Sequence, residues 1–367
     1  MCVPNKVTII AEVGVNHNGS VAMAEEMIAV AASAGADVVK FQTFKPELVI
    51  SRFAQKAEYQ KSSTGTAESQ LEMVRKYELD DDAHRRLVEK CKKEGVEFLS
   101  TPFDIPSLEL LLSLGVSRFK IPSGEITNAS LLYCAAQSGL PVILSTGMST
   151  LEEVQVALGI LALGYMDSQN KQAKRSLAAA ERIYREQEGQ QQLRNKVSLL
   201  HCTTQYPTPL EDVNLYCMDT LRNAFGLPVG YSDHTEGIIA SVAAAARGAA
   251  IIEKHFTLDR SLPGPDQRAS INPDELRELV SSVRAVEKLL GSGEKKVTPP
   301  EFLNRDVARK SLTSLCAIKK GDSFTVENLG TKRPGAGISA LHYWEYLGKT
   351  ADRDYAEDER IEPWRRQ

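Results

Sequence analysis

The residues best suited to chemistry in this chain stand at the ends of short apolar runs. "VGYSDHTEG" (229–237) and "IIEKHFTLD" (251–259) each place a histidine where an apolar run meets a polar turn, in a chain with six histidines. His234 follows Val229-Gly230-Tyr231, and His255 follows Ile251-Ile252. A lone histidine at a strand end is more often structural. Two on neighbouring strands, with His201 one strand earlier, form a candidate site for a divalent cation. Two neutral imidazoles would leave positions open for water and a substrate oxygen, so that the ion acts as a Lewis acid on a carbonyl. Nitrogen and oxygen donors without cysteine suit Mn²⁺ or Zn²⁺.

Lys40 and Lys120 follow β-branched or aromatic residues near strand ends. Each alone could snorkel from a rim. With Thr101, Ser123 and Ser232 they make a cationic, hydroxyl-rich lining that suits a phosphate or carboxylate. A buried lysine at such a place could also form a Schiff base. Glu12, in "AEVGVNHNG", is a candidate general base or acceptor of a substrate hydroxyl, or else the salt-bridge partner of a rim lysine. His17 of the same stretch is as well explained as a turn or capping residue. Gln42, Glu125, Ser145, Thr146, Thr204, Asp233, Glu253 and Lys254 complete the polar strand ends.

What must position these groups is a repeated unit. Eight β-rich runs (7–14, 37–44, 97–103, 118–124, 141–147, 197–204, 228–233, 251–258) alternate with helical patterns, among them 20–35, 82–95, 107–115, 129–139, 150–164 and 273–291. Several helical patterns begin after Ser, Thr, Asn or Asp and end at Gly. The runs are near-continuous apolar stretches, as parallel strands covered on both faces require. Eight β/α units in about 250 residues predict an α/β fold, a (β/α)₈ TIM barrel over residues 1–290. Catalytic groups of that fold sit at the C-terminal strand ends. Residues 166–194 are polar and charged and predict a solvated helical insertion with a disorder-like start. Residues 291–304, rich in Gly, Ser, Pro and Lys, predict a linker. Residues 305–367 predict a small β-rich module of short strands and tight turns.

Bulk composition narrows the rest. The chain is 42% hydrophobic and 25% charged, with a net charge of −4 and a pI near 6.0. These values fit a globular enzyme-sized core and argue against a nucleic-acid-binding surface. No apolar run reaches membrane-span length, so no membrane partner is expected. The start lacks a leader pattern, and the six scattered cysteines form no CxxC pair. A reduced cytoplasmic setting is the expectation.

Taken together, "IIAEVGVNHNG", "ADVVKFQTF", "FLSTPFD", "FKIPSGE", "ILSTGMST", "LLHCTTQYPTP", "VGYSDHTEG", "IEKHFTLD", "PGPDQRASI" and "TKRPGAGIS" resemble the sialic acid synthase family over nearly the whole chain. The resemblance implies a barrel joined to a C-terminal antifreeze-like (SAF) domain in a domain-swapped homodimer. It implies condensation of phosphoenolpyruvate with an N-acetylmannosamine-like sugar, release of phosphate, and a need for Mn²⁺ or Mg²⁺. By the same resemblance His234 and His255 are the metal ligands, and Lys40, Thr101, Lys120, Ser123 and Ser232 the phosphoenolpyruvate contacts. Glu12, Gln42, Tyr206 and Asp266 hold the sugar, Glu125 lies beside the phosphoenolpyruvate site, and Arg333 reaches the partner subunit's site. The chain departs from the common "HCTNxYP" by carrying Thr203-Thr204-Gln205 before Tyr206. Threonine at 204 is also similar to legionaminate synthases and to some bacterial neuraminate synthases, and the alternative sugar is 2,4-diacetamido-2,4,6-trideoxymannose. A Schiff-base aldolase and a non-catalytic carbohydrate-binding protein are the remaining readings.

Overall fold

The computed structural model describes residues 6–55, 69–170 and 175–363. The chain divides into two compact units, Met1–Gly291 and Ser292–Gln367.

The first unit is built on eight parallel strands: β1 Thr8–Gly14, β2 Val38–Thr43, β3 Glu97–Pro102, β4 Phe119–Ile121, β5 Val142–Ser145, β6 Val197–His201, β7 Val229–Asp233 and β8 Ile251–His255. Hydrogen-bonded neighbours run β3-β2-β1-β8-β7-β6-β5-β4, so the first strand pairs with the last. β3 and β4 meet by packing, which brings the two ends of the sheet together. The architecture is an eight-stranded parallel barrel of the TIM type. Every predicted β run contains one of its strands.

Strand side chains alternate between faces, and here the alternation sorts polar from apolar by height. Ile10, Val38, Leu99, Ile143, Leu200 and Ile251 form one closed apolar layer inside the barrel. Two residues further along the same strands stand Glu12, Lys40, Thr101, Ser145, Cys202 and Glu253. The opposite parity, including Ile9, Ala11, Val39, Phe41, Leu144 and Leu199, packs outward under the helices. A small residue is needed at Gly230 in β7, because an added Cβ would come within 2.4 Å of the Ile251 carbonyl oxygen.

The helices start where the sequence supplies caps. Ser20, Asp80, Asp104 and Asn128 accept from the first free amides of Val21–Ser33, Asp81–Glu94, Ile105–Ser113 and Ala129–Gln137. Asn272 and Glu275 form a capping box at Pro273–Leu290, the last barrel helix.

Two sequence expectations are corrected. The predicted insertion does not begin at 166, because the helix that opens at Leu151 runs through to Asn170. It is followed by helices Leu177–Arg185 and Gln187–Lys196, with Ala180, Ile183 and Leu193 buried. Of the expected disorder-like start of that insertion, residues 166–170 belong to the helix Leu151–Asn170 and residues 171–174 lie outside the described residues. The predicted linker 291–304 is also partly helical, since Pro299–Ala308 forms a helix. Its two prolines occupy the first turn, where no amide hydrogen is needed, and Thr298 with Glu301 closes a capping box.

The second unit has a core of its own around Leu312, Phe324, Leu329, Tyr355 and Ile361. Among the described residues its regular β structure is one antiparallel pair, β9 Ser311–Ser314 with β10 Leu329–Lys332, extended by isolated bridges.

Candidate active site

A cavity of ≈ 550 Å³ opens at the C-terminal ends of the barrel strands. That size accommodates small-molecule reactants. Its floor is the polar layer above the apolar one. Lys40 Nζ lies 2.8 Å from Glu12 Oε2 and 3.5 Å from Glu253 Oε2. Lys120 Nζ lies 3.5 Å from Glu253 Oε1, which also accepts from Ser232 Oγ at 2.8 Å. Lys40 further donates to Thr101 Oγ1 at 3.3 Å, and Gln42 Nε2 to Glu12 Oε1 at 3.4 Å. None of the four charged side chains exceeds 6% exposure.

Charges taken out of water this completely must balance one another. Burial pushes Glu12 up to about 7, against the pull of Lys40, so its carboxyl sits near neutrality between proton donor and acceptor. Burial works the same way on Glu253, but Lys120 and Lys40 together outweigh it and hold that carboxyl far below the usual range. Burial would lower Lys40, yet Glu12 and Glu253 raise it overall and keep it an ammonium. Lys120 is lowered, by burial first and then by the charge of Lys40. Lys40 is therefore poorly placed to act as an amine nucleophile. The pair of ammonium groups is arranged to receive an anion.

Two glycines make room for this arrangement. Gly14, at φ +55°, ends β1 in the left-handed region, and a Cβ there would press on Glu12 and Gln42. At Gly147 a Cβ would meet Thr204 Oγ1, Ser123 Oγ and Cys202 Sγ at 2.6, 2.8 and 2.9 Å. The Gly147 amide instead donates to Ser123 Oγ at 2.9 Å and orients that hydroxyl.

The two histidines from β7 and β8 stand together on the cavity wall, ring centroids 5.6 Å apart. His234 Nδ1 is 2.7 Å from the Thr203 carbonyl oxygen, which can only accept, so Nδ1 carries the hydrogen and Nε2 keeps its lone pair. His255 Nδ1 is buried and lacks a hydrogen-bond partner. Burial lowers His234 to about 4 and His255 well below its ordinary value, so both rings are neutral. Neutral imidazoles, one fixed by a carbonyl and one with an unsatisfied buried nitrogen, fit a divalent cation. Among the described residues no third His, Cys, Asp or Glu joins them as a cluster, so water or reactant oxygens would complete the shell. Tyr206 covers both rings, 4.2 Å from His234 and 5.8 Å from His255.

Thr204 and Asp266 also line the cavity, and burial pushes Asp266 up to about 6. One expected substrate contact is not among its lining residues. The Glu125 carboxylate accepts from the Asn128 side chain at 2.7 Å, because the short turn Ser123–Glu125 directs it toward the next helix. Arg333 is an exposed residue of the second unit. His201, the third polar position, is tied to the Val213 carbonyl at 2.7 Å and packs on Tyr231. His17 accepts from the Gly19 amide within its own turn. The residue whose weight sequence reasoning missed is Glu253, which bridges both lysines. Its signal was available, since Ile251, Glu253 and His255 share one strand parity.

A family model described as the NeuB family matches residues 27–295. The chain is 48% identical to the N,N'-diacetyllegionaminic acid synthase of Campylobacter jejuni, over 97% of this chain and 99% of the relative. It is 45% identical to the enzyme of the same name from Legionella pneumophila, over 93% and 89%. Among solved structures, the N-acetylneuraminic acid synthetase of Leptospira borgpetersenii aligns with a TM-score of 0.65 at 34% identity, covering 82% of this chain and 90% of that one.

Proposed function

The chain belongs to the NeuB family, and on that premise we propose that it condenses phosphoenolpyruvate with an acetamido sugar and releases phosphate. The sugar is 2,4-diacetamido-2,4,6-trideoxymannose and the product N,N'-diacetyllegionaminate. The Campylobacter and Legionella relatives support this sugar over N-acetylmannosamine, which the motifs alone place first. The observation that carries the reaction is the joint placement of Lys40 and Lys120 beneath His234 and His255 in one cavity.

The two ammonium groups hold the phosphate and carboxylate of phosphoenolpyruvate, with Thr101, Ser123 and Ser232 supplying hydroxyl donors. His234 and His255 hold Mn²⁺ or Mg²⁺, which when bound supplies Lewis acidity at the open-chain sugar's aldehyde oxygen. Gln42, Tyr206 and Asp266 orient the sugar so that its carbonyl carbon meets the vinyl carbon of phosphoenolpyruvate. Holding both reactants in register removes much of the entropic barrier. The new carbon–carbon bond leaves positive charge at C2 of the former phosphoenolpyruvate. Water adds there, and the tetrahedral species loses phosphate by C–O cleavage. Glu12 Oε2, near neutrality and 2.8 Å from Lys40, holds or gives up the proton that these steps move.

The second unit is read as the SAF domain, and two chains as a domain-swapped homodimer in which Arg333 serves the partner's site. A cytoplasmic location accompanies the use of phosphoenolpyruvate; no described helix is long and apolar enough to cross a membrane. Phosphate release from phosphoenolpyruvate with the diacetamido sugar, and the mass of the product, test the reading. No release with this sugar or with N-acetylmannosamine, in the presence of Mn²⁺, would refute it.

A further inference from the structure

The cavity has a second, chemically different side. Above the charged floor, helices Pro46–Val49 and Gln70–Arg75 present Val49, Ile50, Met73 and Val74 to it. Gln70, Met73 and Val74 follow the i, i+3, i+4 spacing of one face of the second helix, and Tyr77 lines the cavity just beyond its end. Such a face is ordinarily spent on a protein core; here it lines an open cavity. The charged residues of both helices point the other way, where exposed Arg75 pairs with exposed Glu47 at 2.7 Å and ties the helices together from outside.

Phosphoenolpyruvate is small and anionic, and its matching groups are the lysines of the floor. What reaches this wall is therefore the other reactant, at the end remote from its aldehyde. From this arrangement, and resting on the reaction proposed above, we infer that Val49, Ile50, Met73 and Val74 form the specificity wall for the sugar. They take the C6 methyl group of a 6-deoxy sugar and discriminate against a 6-hydroxyl. A methyl group on this wall buries apolar surface. A hydroxyl there gives up its water for aliphatic carbon, and an apolar pocket rejects such an added hydroxyl by about 10- to 100-fold.

The test compares 2,4-diacetamido-2,4,6-trideoxymannose with its 6-hydroxy counterpart, two sugars that differ by one oxygen. Phosphate release is followed at saturating phosphoenolpyruvate and Mn²⁺. The unmodified enzyme should favour the 6-deoxy sugar by about 10- to 100-fold in kcat/KM. The variants Val49→Thr and Val74→Thr, which add a hydroxyl at nearly constant volume, should shrink that ratio severalfold, while KM for phosphoenolpyruvate, measured in a second series at saturating sugar, stays unchanged. An unmodified enzyme that uses both sugars equally, or variants that keep the full ratio, overturn the wall's role and leave the reaction standing. Absence of phosphate release with either sugar overturns the reaction itself and the wall with it.

Discussion

Asp233 of β7 and Lys254 of β8 face each other across a register pair, 3.1 Å apart, with neither side chain exposed. Each directly precedes one of the two cavity histidines. Asp233 also accepts from the Thr235 amide and hydroxyl and from Ser241 Oγ, and Lys254 donates to the Thr235 carbonyl. The pair thus pins both strand ends to the outer helix layer while the next residue of each strand turns to the cavity.

Removing one partner of such a pair leaves a buried charge alone. Asp233→Ala should lower unfolding stability by about 3–5 kcal/mol in chemical denaturation. Adding Lys254→Met in the same chain should recover part of that loss, because no uncompensated ammonium remains. A double variant as unstable as the sum of the two single ones would mean that the groups do not act as a pair.

His234→Ala should abolish Mn²⁺ binding, read by titration calorimetry, and reduce turnover by several orders of magnitude in a chain that still folds. Among the described residues the side chain is hydrogen-bonded to Thr203, so its loss costs about 1 kcal/mol of stability. A variant that binds Mn²⁺ with unchanged affinity would remove the imidazole from the proposed ligand set.

The barrel and most of the residues that line its cavity were legible in the sequence, for a local reason. Strand parity is local, so Ile10 below Glu12 and Ile251 below Glu253 can be read along the chain. Pairing is not local. Nothing in "IIEKHF" tells that Glu253 meets lysines from β2 and β4, and this explains why its weight went unseen. Glu125 follows the short turn Ser123–Glu125, which carries its carboxylate to Asn128, and such loop geometry is not legible from strand parity. The helix at Pro299–Ala308 was hidden by Pro-Pro, a breaker inside a helix and a good start to one. The apolar wall at Val49, Ile50, Met73 and Val74 has the pattern of any core-facing helix. Only the folded chain shows that its apolar face lines a cavity.

Glu253 balances two ammonium groups, and an anionic reactant competes for the same charge. In Glu253→Gln, Lys40 and Lys120 lose their shared carboxylate, and the free protein should become less stable by about 3–5 kcal/mol. Phosphoenolpyruvate should then raise the melting temperature more in the variant than in the parent, because the ligand supplies the missing charge. Equal ligand-induced shifts in the two proteins would place the anion away from these lysines.

Asp37, before β2, offers a pH test away from the cavity. It bonds to Lys6, to the Ile9 amide and to Arg284 of the last barrel helix, at 2.6, 2.9 and 2.5 Å. Burial alone would raise this carboxyl, but those three donors outweigh it and hold it below its ordinary value. A depressed carboxyl contributes stability that is fully present above its unfolded pKa of about 3.9 and is lost as pH falls through the lower folded value. Asp37→Asn should therefore cost about 1 kcal/mol at pH 7, after allowance for solvent screening of a partly exposed group. The difference between parent and variant should close as the pH is taken below 4. Denaturation curves at pH 7 and at pH 3 measure it. A gap that stays constant, or widens in acid, would show that Asp37 acts through its shape and not through its charge.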